Sequence, residues 1–221
     1  MAPVIYAMKN QRQTTSAPKR TSHQIRIIGG QWKRSLISVV DADGLRPTPD
    51  RVRETVFNWL GHLFDRDWEH RRCLDLFAGS GALGWEAASR GVAQVTMTET
   101  NPAAVRQLQQ VQEKLGAQQC RILRADAMAF LNQAVSRGER FDLIFLDPPF
   151  HHGWLEKVLP ACASLLTPAG LVYAEAETPL ETGAFAWLDG WEVIRADKAG
   201  SVFFHILQRN TTAAAMSENQ A

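Results

Sequence analysis

The sequence predicts an open, mostly parallel α/β sheet with helices on both faces, a Rossmann-like fold. Three observations predict it. From residue 73 onward, short apolar runs alternate with amphipathic stretches, the pattern of repeated strand–helix units. A glycine-rich turn, Gly79-Ser80-Gly81, joins the first of those runs to the next helix, as it does at the ligand-binding edge of such sheets. The 221 residues suit one α/β domain with extensions, long enough to bury a real core.

Residues 1–23 are basic, polar and without periodicity, and read as a disordered tail. Residues 24–46 form an N-terminal extension. Its β-prone runs 25–28 and 35–40 flank Gly29-Gly30, so they read as a hairpin or bulged ribbon. Gly44, Pro47 and Pro49 mark a loop over 41–49. A helix then starts at Pro49 or Asp50 with Thr48 as its cap. Its apolar stripe is Val52, Val56, Trp59, Leu60 and Leu63, with Arg51, Arg53 and Glu54 off it.

The main domain spans 47–209. Strands are predicted at 73–77, 92–98, 120–124, 141–146 and 171–175, and helices at 82–90, 102–115, 127–137 and 155–166. The runs 191–196 and 202–207 have no helix between them and so pair antiparallel. Residues 210–221 read as a second disordered tail.

The net charge of +1 hides a split. Residues 1–40 carry seven cations and no acid, which leaves the rest of the chain at −6. A basic arm on a mildly acidic body points to a polyanionic partner, a solubilising tail being the other reading. No apolar run is long enough to span a membrane, and residues 1–8 lack the basic leader of a secretory signal. Cys73, Cys120 and Cys162 are scattered without metal-ligand spacing, so they read as reduced thiols and no metal is expected.

The first chemical signal is Asp75-Leu-Phe77-Ala-Gly79-Ser80-Gly81-Ala-Leu-Gly84. Glycine permits tight turns and close approach of a ligand. Asp75 precedes the glycines, where a carboxylate would repel a pyrophosphate but meet the sulfonium and ammonium of S-adenosylmethionine. Glu99 follows Gly79 by 20 residues, the spacing at which an acid holds ribose hydroxyls. Asp126, with Ala127 after it, can accept from an adenine amino group, cap the next helix, or do both. The second signal is Asp147-Pro148-Pro149-Phe150 after the fourth strand. Two prolines stiffen the loop. Asp147 and the Pro148 carbonyl can each accept one proton of a planar exocyclic amine, and Phe150 can stack on its base. Acceptors out of the ring plane favour a pyramidal nitrogen, so catalysis would be mostly positioning.

Together with Gly44-Leu-Arg46-Pro-Thr48-Pro-Asp-Arg51-Val-Arg53-Glu54 and the stretch at 27–32, these motifs resemble the RsmD family over residues 24–208. The resemblance implies a class I S-adenosylmethionine-dependent methyltransferase. Its sheet has seven strands, the last antiparallel, and its target is the N2 amine of a guanine in small-subunit (16S) ribosomal RNA. It also implies that the segment bearing Arg46, Thr48, Arg51 and Arg53 approaches the active-site mouth. One position departs: Asn101 stands where the family has Asp.

Further RNA candidates are Arg26, Trp32, Lys33, Arg34 and His151. The Trp32-Lys33-Arg34 run interleaves an aromatic with cations, as single-stranded nucleic-acid surfaces do, although a packed tryptophan explains it as well. The expected enzyme is cytoplasmic and monomeric, and acts on ribosomal RNA in a partly or fully assembled 30S particle. Three rival readings are a DNA adenine methyltransferase, a nicotinamide-dependent oxidoreductase and a non-catalytic ribosome-assembly factor. The short loops lack a target-reading domain, Asp75 disfavours a pyrophosphate, and an intact Asp147 speaks against lost chemistry.

Overall fold

A computed structural model describes residues 24–39 and 48–210. The tail expected at 1–23, all but Asn210 of the tail expected at 210–221, most of the loop expected at 41–49 and the candidate Arg46 lie outside the described residues.

The N-terminal extension is the expected hairpin. Strands β1 (Gln24–Arg26) and β2 (Leu36–Ser38) pair antiparallel, with Ile25 opposite Ile37. Both are shorter than the β-prone runs predict. The ladder stops because the N–H groups of Ile28 and Gly29 turn to the Glu86 carboxylate, at 2.9 and 2.8 Å. Ile25, Ile27 and Ile37 face inward and seat the hairpin on the core.

Helix α1 (Asp50–Leu63) begins at Asp50, and its cap residue is Pro49, with no side-chain capping bond. Thr48 is therefore not the cap; its hydroxyl is engaged elsewhere. The buried face is Val52, Arg53, Val56, Phe57 and Leu60, so Arg53 lies on the core face that the apolar pattern assigned to its neighbours. Burial of a guanidinium is tolerable only when its donors are answered. Here Asp50, at 2.6 Å, and the Arg26 carbonyl, at 2.9 Å, share one amino group. Glu86 takes the other at 3.3 Å and the Thr48 carbonyl takes Nε at 3.1 Å.

The remaining strands are β3 (Arg72–Asp75), β4 (Gln94–Glu99), β5 (Cys120–Arg124), β6 (Phe141–Leu146), β7 (Leu166–Ala176), β8 (Trp191–Ala199) and β9 (Val202–Arg209). They form one sheet in the order β5-β4-β3-β6-β7-β9-β8. Strand β9, the last in the chain, is antiparallel to the other six of this sheet. Strand β7 starts before the predicted residue 171. A register shift between Phe141 and Leu143 absorbs Pro168 and Gly170, the means by which a sheet accepts such residues.

Helices α2 (Ala82–Ser89), α3 (Pro102–Leu115), α4 (Ala127–Ser136) and α5 (Trp154–Leu165) make the parallel crossovers. Alternating strand residues divide the core. Phe57, Trp85, Phe145 and Tyr173 fill one face with α1, α2 and the hairpin. Phe130, Leu131, Ile144 and Leu159 fill the other with α4 and α5. The chain steps outward from β3 to β5 and then returns across β3 to β6. The switch point thus lies between β3 and β6, whose carboxyl ends form the ligand edge of this architecture.

Candidate functional site

Three acids stand at that edge. Asp75 ends β3, Glu99 ends β4, and Asp147 follows β6 directly. The loop from β3 to α2 is drawn under the sheet edge by the Ala78 N–H to the Thr98 carbonyl, at 3.0 Å, and by the Thr98 hydroxyl to the Leu76 carbonyl, at 2.7 Å.

Gly79 and Gly81 adopt φ of 52° and 77°, the left-handed region. A Cβ on Gly81 would lie 2.4 Å from the Trp85 indole nitrogen and 2.6 Å from Leu108. Glycine at this position is thus demanded by backbone conformation and helix packing, not by room for a ligand. Gly84 is similar: a Cβ there would meet Met97 at 2.9 Å. Asp75 is buried, and one carboxylate oxygen accepts from the Gly84 N–H at 3.0 Å. Burial, with help from the Glu99 charge, pushes its carboxyl up to about 7. Glu99 is half-buried and accepts from the N–H groups of Gly79 and Asn101, at 2.9 and 2.7 Å.

Asn101 departs from the family pattern without loss of local structure. It caps α3, its side chain accepting from Ala103 and Ala104. Asp126 caps α4 in the same way, accepting from the Ala129 N–H at 3.0 Å, and Ala127 opens that helix. Phe77 and Ser80 are half-buried, Phe77 edge-on to Trp154.

At the second motif Asp147 and Phe150 are half-buried, Pro148 is buried and Pro149 is exposed. The Thr48 hydroxyl reaches Asp147 at 3.3 Å and Glu175 on β7 at 3.1 Å. The Tyr173 hydroxyl donates to the same Glu175 oxygen at 2.7 Å. Loss of solvent, then the Glu175 and Asp75 charges, hold the Asp147 carboxyl well above the ordinary range. Burial raises Glu175 as well. His151, at φ 66°, faces Glu177, ring nitrogen to carboxylate at 2.7 Å.

Several expectations change. Arg53 is not free to meet RNA, because it is fully buried in ion pairs with Asp50 and Glu86. Thr48 lies at the two carboxylates and not at the surface. Trp32 packs partly against the core, which favours its structural reading. Lys33, Arg34, Arg26 and Arg51 are exposed, Arg26 in an ion pair with Asp50 at 3.3 Å. Sequence reasoning missed Glu175, Tyr173 and Glu86. A signal for the first two was present: an acid and a tyrosine two apart in the apolar run 171–176 share one sheet face.

The strand order, its reversed last strand and three acids at the carboxyl edge define a class I methyltransferase. The same sheet occurs in S-adenosylmethionine-dependent methyltransferases of low sequence identity, a likeness of fold alone. The chain belongs to the family described as Conserved hypothetical protein 95, whose model matches residues 25–208. It is 42% identical to Ribosomal RNA small subunit methyltransferase D of Escherichia coli K12, over 85% of this chain and 91% of that protein. The protein of the same name from Haemophilus influenzae is 35% identical over 84% and 94%. The solved structure of the Escherichia coli protein yhhF superposes with a TM-score of 0.70 at 37% identity, over 85% of this chain and 98% of that one. The resemblance drawn from the glycine loop, the Asp-Pro-Pro-Phe motif and the segment at 44–54 is borne out at the level of the family.

Proposed function

We propose that this methyltransferase modifies the exocyclic N2 amine of a guanine in small-subunit ribosomal RNA, using S-adenosylmethionine. The carrying observation is Asp147 on its proline-stiffened loop, one strand away from the glycine loop and with no cation paired to it among the described residues. The relatives' names support the RNA target.

The residues present fit the cofactor. Asp75 and Glu99 suit a sulfonium, an ammonium and ribose hydroxyls, and a pyrophosphate would be repelled there. Asp75, Phe77, Gly79, Ser80, Glu99, Asp126 and Ala127 would hold it, on a turn whose packing Gly81 and Gly84 permit. When bound, it supplies an electrophilic methyl group. Asp147 and the Pro148 carbonyl accept the two amine protons and fix the nitrogen out of the ring plane. Phe150 and Pro149 wall the base, and Asp147 receives the proton that the methylated nitrogen must shed. The base must leave any stack to reach this loop, so RNA in a partly or fully assembled small subunit with a flexible target is the favoured substrate. Arg26, Lys33, Arg34 and Arg51 supply exposed positive charge for phosphates, with His151 at the mouth. The large apolar side chains exposed among the described residues, Leu36, Val135 and Phe185, are scattered in sequence, which supports a monomer; a cytoplasmic place follows from the substrate.

Mass mapping of methylated nucleosides in ribosomal RNA tests this reading, with cells carrying the wild type, no protein or Asp147→Ala. One N2-methylguanosine in the small-subunit RNA is expected to vanish in the last two. A lost methyl on another base, or full methylation with Asp147→Ala, overturns it.

A further inference from the structure

We propose that Glu175 is a positioning residue for methyl transfer, forming with Asp147 and the bridging Thr48 hydroxyl a carboxylate pair that shares a single proton. The proposal rests on the methyltransferase reading above and goes beyond it.

Glu175 stands near the end of β7 and is 5% exposed. A buried carboxylate without a cation is costly. Among the described residues, the groups facing the pair come from three elements. Thr48 precedes α1, Tyr173 lies on β7 with Glu175, and Asp75 ends β3. Two are hydroxyls and the third is another acid.

The hydrogen count then decides the protonation. The Thr48 hydroxyl has one proton, yet its oxygen lies within hydrogen-bond distance of both acids. It can donate to one of them only. With both acids ionised, the second contact sets lone pairs against lone pairs. With one proton on the pair, the hydroxyl donates to one carboxylate and accepts from the other, and every contact is satisfied. Two neighbouring carboxylates sharing one proton is also the arrangement their mutual repulsion favours.

The consequence is chemical. Once the shared proton has left the pair, the charge of Glu175 makes Asp147 a stronger base than a carboxyl of ordinary acidity. As the methylated amine sheds its proton, the N–H bond breaks, an O–H bond forms on Asp147, and the electron pair stays on nitrogen. Asp147, the acceptor, touches the substrate; Glu175 acts through it.

Two measurements test the pair on the full chain, for wild type, Glu175→Gln and Thr48→Val. The first is single-turnover methylation of small-subunit particles across pH. The wild-type rate falls as pH drops and the pair takes up its shared proton, because Asp147 then no longer accepts the proton of the amine. Glu175→Gln keeps both hydroxyl contacts and removes the neighbouring charge. Its acid limb is expected to move at least about one unit lower, with a maximal rate down about tenfold. Thr48→Val should move the limb in the same direction. Cofactor affinity by calorimetry should stay within about twofold of wild type. The second is an infrared pH titration of substrate-free protein, following the protonated-carboxyl band. The band is expected to persist to neutral pH in the wild type and to titrate lower in Glu175→Gln. An unmoved acid limb in folded Glu175→Gln overturns the proposal. If the wild type methylates no RNA, the functional reading fails instead, and the infrared titration alone decides for or against the pair.

Discussion

Two buried glutamates in this protein keep opposite company. Glu86, on α2, is wholly enclosed and meets the guanidinium groups of Arg53 and Arg90 and the N–H groups of Ile28 and Gly29. Glu175, on β7, meets two hydroxyls and another acid among the described residues. The first is a knot: it ties the hairpin, α1 and α2 together, and each charge in it is answered. The second is held against its own electrostatics, with burial and a like charge raising the carboxyls around it. Burial alone thus says little about a carboxylate. The partners distinguish an acid that the fold needs from one that the chemistry needs.

The largest way to break this contrast is Arg53→Met. It leaves Glu86 buried beside a single guanidinium and should remove about 4 kcal/mol of stability, read by denaturant unfolding. A loss below about 1 kcal/mol would dissolve the distinction. Next comes Asp147→Asn. An amide oxygen still accepts from the amine but cannot take its proton. The single-turnover rate should fall about a hundredfold, close to 2.7 kcal/mol, while thermal stability holds or rises. Simultaneous loss of rate and stability would make the pair a structural knot like the other.

A smaller effect is expected at Asp75. Its folded carboxyl sits at about 7, above the value for an unfolded chain. The stability tied to its protonation is therefore complete below about pH 4 and is lost as pH climbs through 7. Asp75→Asn should raise stability at pH 8 by about 2 kcal/mol and flatten melting temperature against pH between 4 and 7, while weakening cofactor binding. A melting curve with the wild-type pH dependence would show that Asp75 is ionised and fully answered. The smallest effect concerns the exposed cations. Replacing Arg26, Lys33 and Arg34 together should leave stability within about 0.5 kcal/mol. The salt slope of RNA binding should fall by roughly 0.7 to 0.9 per lost phosphate contact. An unchanged slope would assign the basic arm to solubility.

The alternation of strands and helices was legible because parallel strands buried on both faces read as apolar runs, and the glycines marked the turn between β3 and α2. Asp75, Glu99 and Asp147 could be named for the same reason, since each stands at the end of a strand or directly after it, and a strand's end is a position in sequence. Arg53 and Thr48 could not be placed. A guanidinium is buried or exposed according to partners such as Glu86, 33 residues away, and a threonine before a helix looks like a cap until a distant acid claims its hydroxyl. Glu175 was hidden by its apolar setting, and β7 by Pro168 and Gly170, whose disruption the register shift removes.

Helix α2 has one further consequence. All eight of its residues are buried, and both ends are clamped. Gly81 begins it at a positive φ against Trp85. At the far end the Ser89 carbonyl accepts from the Gln31 N–H at 2.7 Å, so close to Gly30 that a Cβ there would sit 1.8 Å from it. The helix is therefore a spacer of fixed length, about 12 Å at the usual rise per residue. One residue inserted or deleted within it would rotate every side chain by about 100° and part either the glycine loop or the hairpin from its seat. Length variation in this protein belongs in the surface turns at 137–140 and 181–185, and the stretch from 79 to 91 tolerates substitution only at constant length.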